Sequence, residues 1–116
     1  MRGAVLALMA AGLTAPAAAQ DVAARLNDYP TAARADYVFA CMATNGQGRD
    51  VLEKCSCSVD VIASILPYKK YLEAETVLMM RQVGGDRAAI FRTSAMANAL
   101  VADLRRAQAE AEIVCF

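Results

Sequence analysis

Asp50-Val51-Leu52-Glu53-Lys54-Cys55-Ser56-Cys57-Ser58-Val59-Asp60-Val61-Ile62-Ala63-Ser64-Ile65-Leu66 reads as one amphipathic helix, and the two cysteines inside it govern the arrangement of the rest. Val51, Cys55, Val59, Ile62 and Leu66 recur at three- and four-residue spacing and form its core stripe. Cys55 and Cys57 stand two positions apart, so on a helix their side chains diverge by about 200°. They cannot bridge each other without breaking the helix, and each must tie a different neighbour. Cys41 lies close by, across the turn at 45–49, and Cys115 takes whichever cysteine remains.

Outward from this helix the chain is helical in both directions. Tyr29-Pro30-Thr31 starts a first helix that runs to about Ala43, with Tyr37, Phe39 and Cys41 giving it bulk, after a short frayed turn over 20–28. Thr44-Asn45-Gly46-Gln47-Gly48 stops it, since Gly and Asn tolerate the backbone conformation a helix end requires. Pro67 opens a third helix, a position where the missing N–H costs nothing. That helix ends at Val83, before Gly84-Gly85. Asp86 is the predicted N-cap of a fourth helix to about Val114, with Ile90, Ala97, Val101, Leu104 and Ala111 on its core face. Lys69 with Glu73 and Arg106 with Glu110 stand at surface ion-pair spacing. No extended alternation of β-branched residues marks a strand.

The cysteines then select a topology. If four helices ran up and down in turn, Cys115 would finish at the wrong end of the domain. If Pro67 only bends the path, helices two and three lie end to end, and Gly84-Gly85 returns the fourth helix along both. Cys57 lies 28 residues before Gly85 and Cys115 lies 30 after it, so the two ends meet. The expectation is an all-α fold, a small disulfide-stapled helical hairpin or bundle of about four helices. Cys41–Cys55 with Cys57–Cys115 is narrowly preferred to Cys41–Cys57 with Cys55–Cys115.

At the N-terminus, Met1-Arg2-Gly3, an apolar run from Ala4 to Leu13 and Pro16-Ala17-Ala18-Ala19 read as a secretion signal over 1–19, cleaved after Ala19. The run is short of the ~20 apolar residues a bilayer span needs. Residues 20–116 form one domain of a size at which cross-links usefully supplement a modest core. Without Arg2 the chain carries 11 basic and 12 acidic residues, a balance that recruits neither nucleic acid nor an anionic membrane. An even set of four cysteines in an exported chain reads as two disulfides.

The absence of histidine removes the commonest general base and the commonest zinc or copper ligand. Ser56, Ser58, Ser64 and Ser94 have no histidine to activate them, and no phosphate-cradling glycine loop occurs. The chain is therefore not expected to be an enzyme. Cys55-Ser56-Cys57 lacks the spacing and the preceding strand of a thiol-exchange motif. Met42, Met79, Met80 and Met96 could serve Cu(I) beside cysteines, although methionine at helical spacing more commonly fills a core. Hard cations offer a better case. Asp50 and Glu53 follow the Gly-rich turn, Asp60 lies two turns beyond Glu53 on the same side, and Glu73 and Glu75 stand near Tyr68 and Tyr71. Ca²⁺ or a lanthanide wants six or more oxygens, several of them carboxylate. The competing reading is plain: Asp50 and Glu53 favour the positive end of a helix, and the remaining carboxylates are surface ion pairs.

Tyr37-Val38-Phe39-Ala40-Cys41-Met42, Leu52-Glu53-Lys54-Cys55-Ser56-Cys57-Ser58 and Arg105-Arg106-Ala107-Gln108-Ala109-Glu110-Ala111-Glu112 with Cys115-Phe116 resemble a family of small exported four-cysteine proteins of methylotrophic proteobacteria. That family is associated with quinoprotein alcohol oxidation and its lanthanide supply. The resemblance implies a periplasmic accessory role, a lanthanide or Ca²⁺ as ligand, and a quinoprotein dehydrogenase or metal-transport component as partner. It transfers no ligand residues. The alternative is a metal-free interaction module, a locked hairpin docking a partner or a second copy through a stripe such as Leu78, Met79 and Val83.

Overall fold

The computed structural model describes residues 28–116; the expected secretion signal and the turn at 20–27 lie outside them. Five α-helices follow one another: α1 Thr31–Asn45, α2 Arg49–Ile65, α3 Tyr68–Gln82, α4 Ala89–Thr93 and α5 Ala95–Cys115, with a 3₁₀ turn at Asp86–Ala88. No strand occurs among the described residues. The all-α, disulfide-stapled architecture is the expected one.

Each boundary has a local cause. α1 ends where Gly46 takes φ 118°, a conformation that favours glycine, and its N–H donates to the Met42 carbonyl. α2 closes through the Leu66 N–H on the Ile62 carbonyl, and Pro67 at φ −57° then starts α3. Gly85, at φ 99°, turns the chain back.

α5 packs against both α2 and α3, α1 packs against α2, and α2 and α3 barely touch each other. The chain is thus a hairpin whose first arm is two helices end to end and whose second arm is mainly α5. Two side chains from just before α1 hold the bend in the first arm. The Tyr29 hydroxyl donates to the Leu66 carbonyl at 2.8 Å, and the Asp28 carboxylate accepts from the Tyr68 N–H at 2.8 Å. One residue therefore satisfies an orphan carbonyl at the end of α2, and its neighbour an orphan N–H at the start of α3. The Tyr29 ring is buried, 5.2 Å from that of Tyr68 and 5.1 Å from that of Tyr71.

Ile62 and Leu104 are fully buried at the centre, with Leu66, Ala74, Ala107 and Ala111 around them. A smaller cluster of Val77, Ala97 and Val101 sits nearer the turn. Alanine at the contact positions of α3 and α5 lets the backbones approach closely. The expected α2 stripe is buried except at Val51, which is only partly buried beside the α1–α2 turn.

Both disulfides form, Cys41–Cys55 and Cys57–Cys115, and all four cysteines are bridged. This is the preferred pairing of the two that the divergence across α2 allows: Cys55 faces α1 and Cys57 faces the end of α5. Next to the second bridge, the Lys54 ammonium lies 5.7 Å over the Phe116 ring.

Five expectations are corrected. The fourth helix is not continuous from Asp86. It breaks at Ser94, whose backbone is extended (ψ 131°) and whose hydroxyl caps α5 by accepting from the Ala97 N–H. Asp86 does not cap a long helix but opens the 3₁₀ turn, with Gly85 before it and no side-chain cap bond. The break rotates Ile90 off the core face, and it is 62% exposed, as Phe39 on α1 is at 77%. At the surface, Arg106 pairs with Asp103 rather than Glu110, and Glu73 pairs with Lys70 rather than Lys69.

Two outcomes follow for stability. Tyr29→Phe leaves the Leu66 carbonyl without its donor and should cost about 1–2 kcal/mol in urea denaturation. Replacing Cys57 and Cys115 by alanine removes the bridge between residues 58 apart. On loop entropy that should cost about 4 kcal/mol, against about 3 kcal/mol for Cys41 with Cys55, 14 apart.

Candidate functional site

The five carboxylates singled out in the sequence are dispersed. Glu53 meets Arg49 at 3.3 Å one turn away on the same helix. Asp60 meets Arg34 of α1 at 2.7 Å, which ties α1 to α2. Glu73 pairs with Lys70 at 3.7 Å. Asp50 is exposed in the first turn of α2, its carboxylate lying over Gly48. Glu75 faces a cleft with a second carboxylate, Asp36, whereas the hollow beside Asp60 holds its partner Arg34. Among the described residues, no three Cys, His, Asp or Glu side chains converge as they would around a metal ion.

The cleft at Glu75 has a volume of about 310 Å³ and lies where α1, α3 and α5 meet. α1 contributes Asp36, Tyr37 and Asn45; α3 contributes Tyr71 and Glu75; α5 contributes Gln108. A second hollow of about 210 Å³ shares Tyr37, Asn45 and Gln108 and continues to Glu112 and Phe116. Together they make a polar groove floored in part by Cys41 of the Cys41–Cys55 bridge.

Its electrostatics are acidic. Burial, and then the Asp36 carboxylate, push Glu75 above the ordinary carboxylate range, and Arg105 opposes the shift. Burial, and then Glu75, likewise raise the Tyr37 and Tyr71 hydroxyls above ordinary tyrosine. The groove is thus suited to a cationic or hydrogen-bonding ligand. The serines are engaged elsewhere: Ser56, Ser58 and Ser64 donate to backbone carbonyls of their own helix, and Ser94 caps α5.

The opposite end of the hairpin has a different chemistry. Here α3, α4 and the start of α5 enclose an apolar groove of about 280 Å³, lined by Val77, Ile90, Phe91, Met96, Ala97 and Leu100. Two arginines lock its walls together. Arg81 donates through Nε to the Phe91 carbonyl and through Nη2 to Asn98 Oδ1, both at 2.7 Å. Arg92 returns a bond from Nη1 to the Arg81 carbonyl at 3.0 Å. Met79, Val83, Ile90 and Met96 are each more than half exposed at this end. Met79 and Val83 therefore fit the stripe expected of an interaction module, while Leu78 packs against the core.

Sequence reading missed this groove because it treated residues 86–114 as one helix. The available signal was Thr93-Ser94, two poor helix formers in an Ala-rich run, with serine a strong N-cap residue.

The Glu75 environment sets a pH dependence. Folded Glu75 holds its proton more tightly than the unfolded chain does, so native protein binds more protons between the ordinary value of 4.5 and the raised one. Stability from this group therefore falls as pH rises through that window, and ionised Glu75 is a cost at neutral pH. Glu75→Gln should raise the melting temperature at pH 7 and lose that advantage toward pH 4; an equal effect at both pH values would contradict this account.

Comparison with known protein families, characterised proteins and solved structures returned no match.

Proposed function

We propose that the chain is a periplasmic, non-enzymatic accessory protein that works as an interaction module, a cross-linked helical hairpin docking another exported protein at its turn. Disulfides suit an oxidising, extracytoplasmic compartment, and no helix among the described residues is long and apolar enough to cross a membrane. The observation that carries the reading is an apolar groove at one end of a locked scaffold, two of whose lining side chains, Ile90 and Met96, are each more than half exposed. Exposed apolar residues concentrated beside a groove mark contact surfaces more often than scattered ones do. The place of the module in alcohol oxidation or metal supply rests on the resemblance alone.

A photo-crosslinking residue at position 90 or 96 in the exporting host should form an adduct with another exported protein. The same residue at exposed position 109, far along α5, should not. Equal adducts at all three positions, or none, would remove the docking reading.

A second reading has its own observation. Asp36 and Glu75 face one cleft, and the raised Glu75 carboxyl marks a penalty that a bound hard cation would relieve. Lanthanide or Ca²⁺ binding there would use Asp36 and Glu75 with the Asn45 oxygen and with the Gln108 oxygen released from Arg105 Nη1, and Tyr37 and Tyr71 would sensitise Tb³⁺. Tyrosine-excited Tb³⁺ emission that falls in Asp36→Asn and Glu75→Gln is the expected result on this reading. A silent titration with no heat for Nd³⁺ or Ca²⁺ would discard it. Emission lost instead in Asp50→Asn or Glu53→Gln would move the site to the start of α2.

A further inference from the structure

We infer that the groove at the turn takes an acidic amphipathic helix of its partner, with apolar anchors seated between α3 and α5 and carboxylates on the surrounding arginines; this rests on the docking reading above and names the partner's chemistry.

Charge is the first argument. Between Val77 and Leu100 the chain carries Arg81, Arg87 and Arg92 against Asp86 alone, whereas acidic residues outnumber basic ones over the other described residues. None of these three arginines forms an ion pair among the described residues. Arg87 and Arg92 are exposed, and Arg92 is oriented by its bond to the Arg81 carbonyl. The groove lining carries no charge of its own, and Arg87 and Arg92, on the segment that supplies Ile90 and Phe91 to it, have no carboxylate partner among the described residues, which complements a surface with a bulky apolar centre and flanking carboxylates.

Backbone chemistry argues for a helix. The groove walls are helices, and the Phe91 and Arg81 carbonyls at their ends already accept from arginine side chains, so an extended segment would find no strand edge to pair with. A helix brings its own backbone bonds and needs only side-chain anchors at three- and four-residue spacing. A second copy paired symmetrically would place two arginine-rich rims against each other, an unfavourable arrangement.

The test uses the oxidised full domain and a fluorescein-labelled helical peptide of about four turns, with leucine and phenylalanine on one face and glutamate flanking them. A companion peptide carries lysine in place of glutamate. Anisotropy should report binding of the glutamate peptide only, weakened by salt. Arg87→Gln with Arg92→Gln should weaken it about fivefold, and Met96→Asp or Ile90→Asp about tenfold or more. Unchanged melting curves should accompany Arg87→Gln, Ile90→Asp and Met96→Asp; Arg92→Gln also removes the bond to the Arg81 carbonyl, so the charge effect is read from Arg87→Gln alone wherever the pair lowers the melting temperature, and Ile90 replaces Met96 if that variant fails to fold.

Equal binding of both peptides, or indifference to the arginine changes, would overturn the acidic partner. So would sedimentation showing a dimer or polymer that Ile90→Asp dissolves, or retention on phosphatidylglycerol vesicles that the arginine changes abolish. If the glutamate peptide fails while position 90 still crosslinks a protein, this inference falls and the docking reading stands. If both fail, both fall.

Discussion

The Cys57–Cys115 bridge joins the middle of α2 to the last residue of α5, and it determines which surfaces the molecule can present. Without it, α5 would be held along α2 and α3 only by a narrow seam of alanines and a few larger side chains, Ile62, Leu66, Val77, Val101 and Leu104. A seam rich in alanine lets backbones come close but removes little apolar area from water per residue. Cross-linking the open end of the hairpin compensates by restricting the unfolded chain. The Cys41–Cys55 bridge does the same for α1, aided by the Arg34–Asp60 pair.

With its open end closed, the hairpin divides into two chemically distinct regions. Near the bridges, α1 leans over the α3–α5 seam and creates a polar groove in which Asp36 and Glu75 face each other's field. At the turn, the short α4 is set across the ends of α3 and α5 by the reciprocal bonds of Arg81 and Arg92. Those bonds account for the location of the apolar groove. They satisfy the Phe91 and Arg81 carbonyls at helix ends, and this lets the chain interrupt its helix at Ser94 without stranding polar groups. The interruption exposes Ile90 and Met96 instead of burying them.

The bend between α2 and α3 is a third structural device. Pro67 alone permits a change of direction, but the angle depends on Asp28 and Tyr29, which bond one residue on each side of it. A segment just before α1 thus holds the first arm in the shape that α5 packs against. The buried Tyr29 and Tyr71, with the partly buried Tyr68 against them, add apolar area there, and burial raises the Tyr29 and Tyr71 hydroxyls well above their ordinary range.

Helical class, the bend at Pro67, the reversal at Gly84-Gly85 and the two-bridge topology were legible from residue order, because each follows from local rules: three-and-four spacing, proline's missing N–H, glycine's conformational range and the divergence of Cys55 from Cys57 on one helix. The sites were not legible in the same way. Glu53, Asp60 and Glu73 each face their own cation, because their own helices supply Arg49 to Glu53 and Lys70 to Glu73, and α1 supplies Arg34 to Asp60. Asp36 and Glu75 are far apart in sequence and meet only because α1 and α3 flank the same stretch of α5. The break at Ser94 depends likewise on Arg81 reaching across from another helix to take up the Phe91 carbonyl. Local propensity can state where a helix is able to stop; packing partners decide whether it does, and with that which side chains are left for a ligand or a partner.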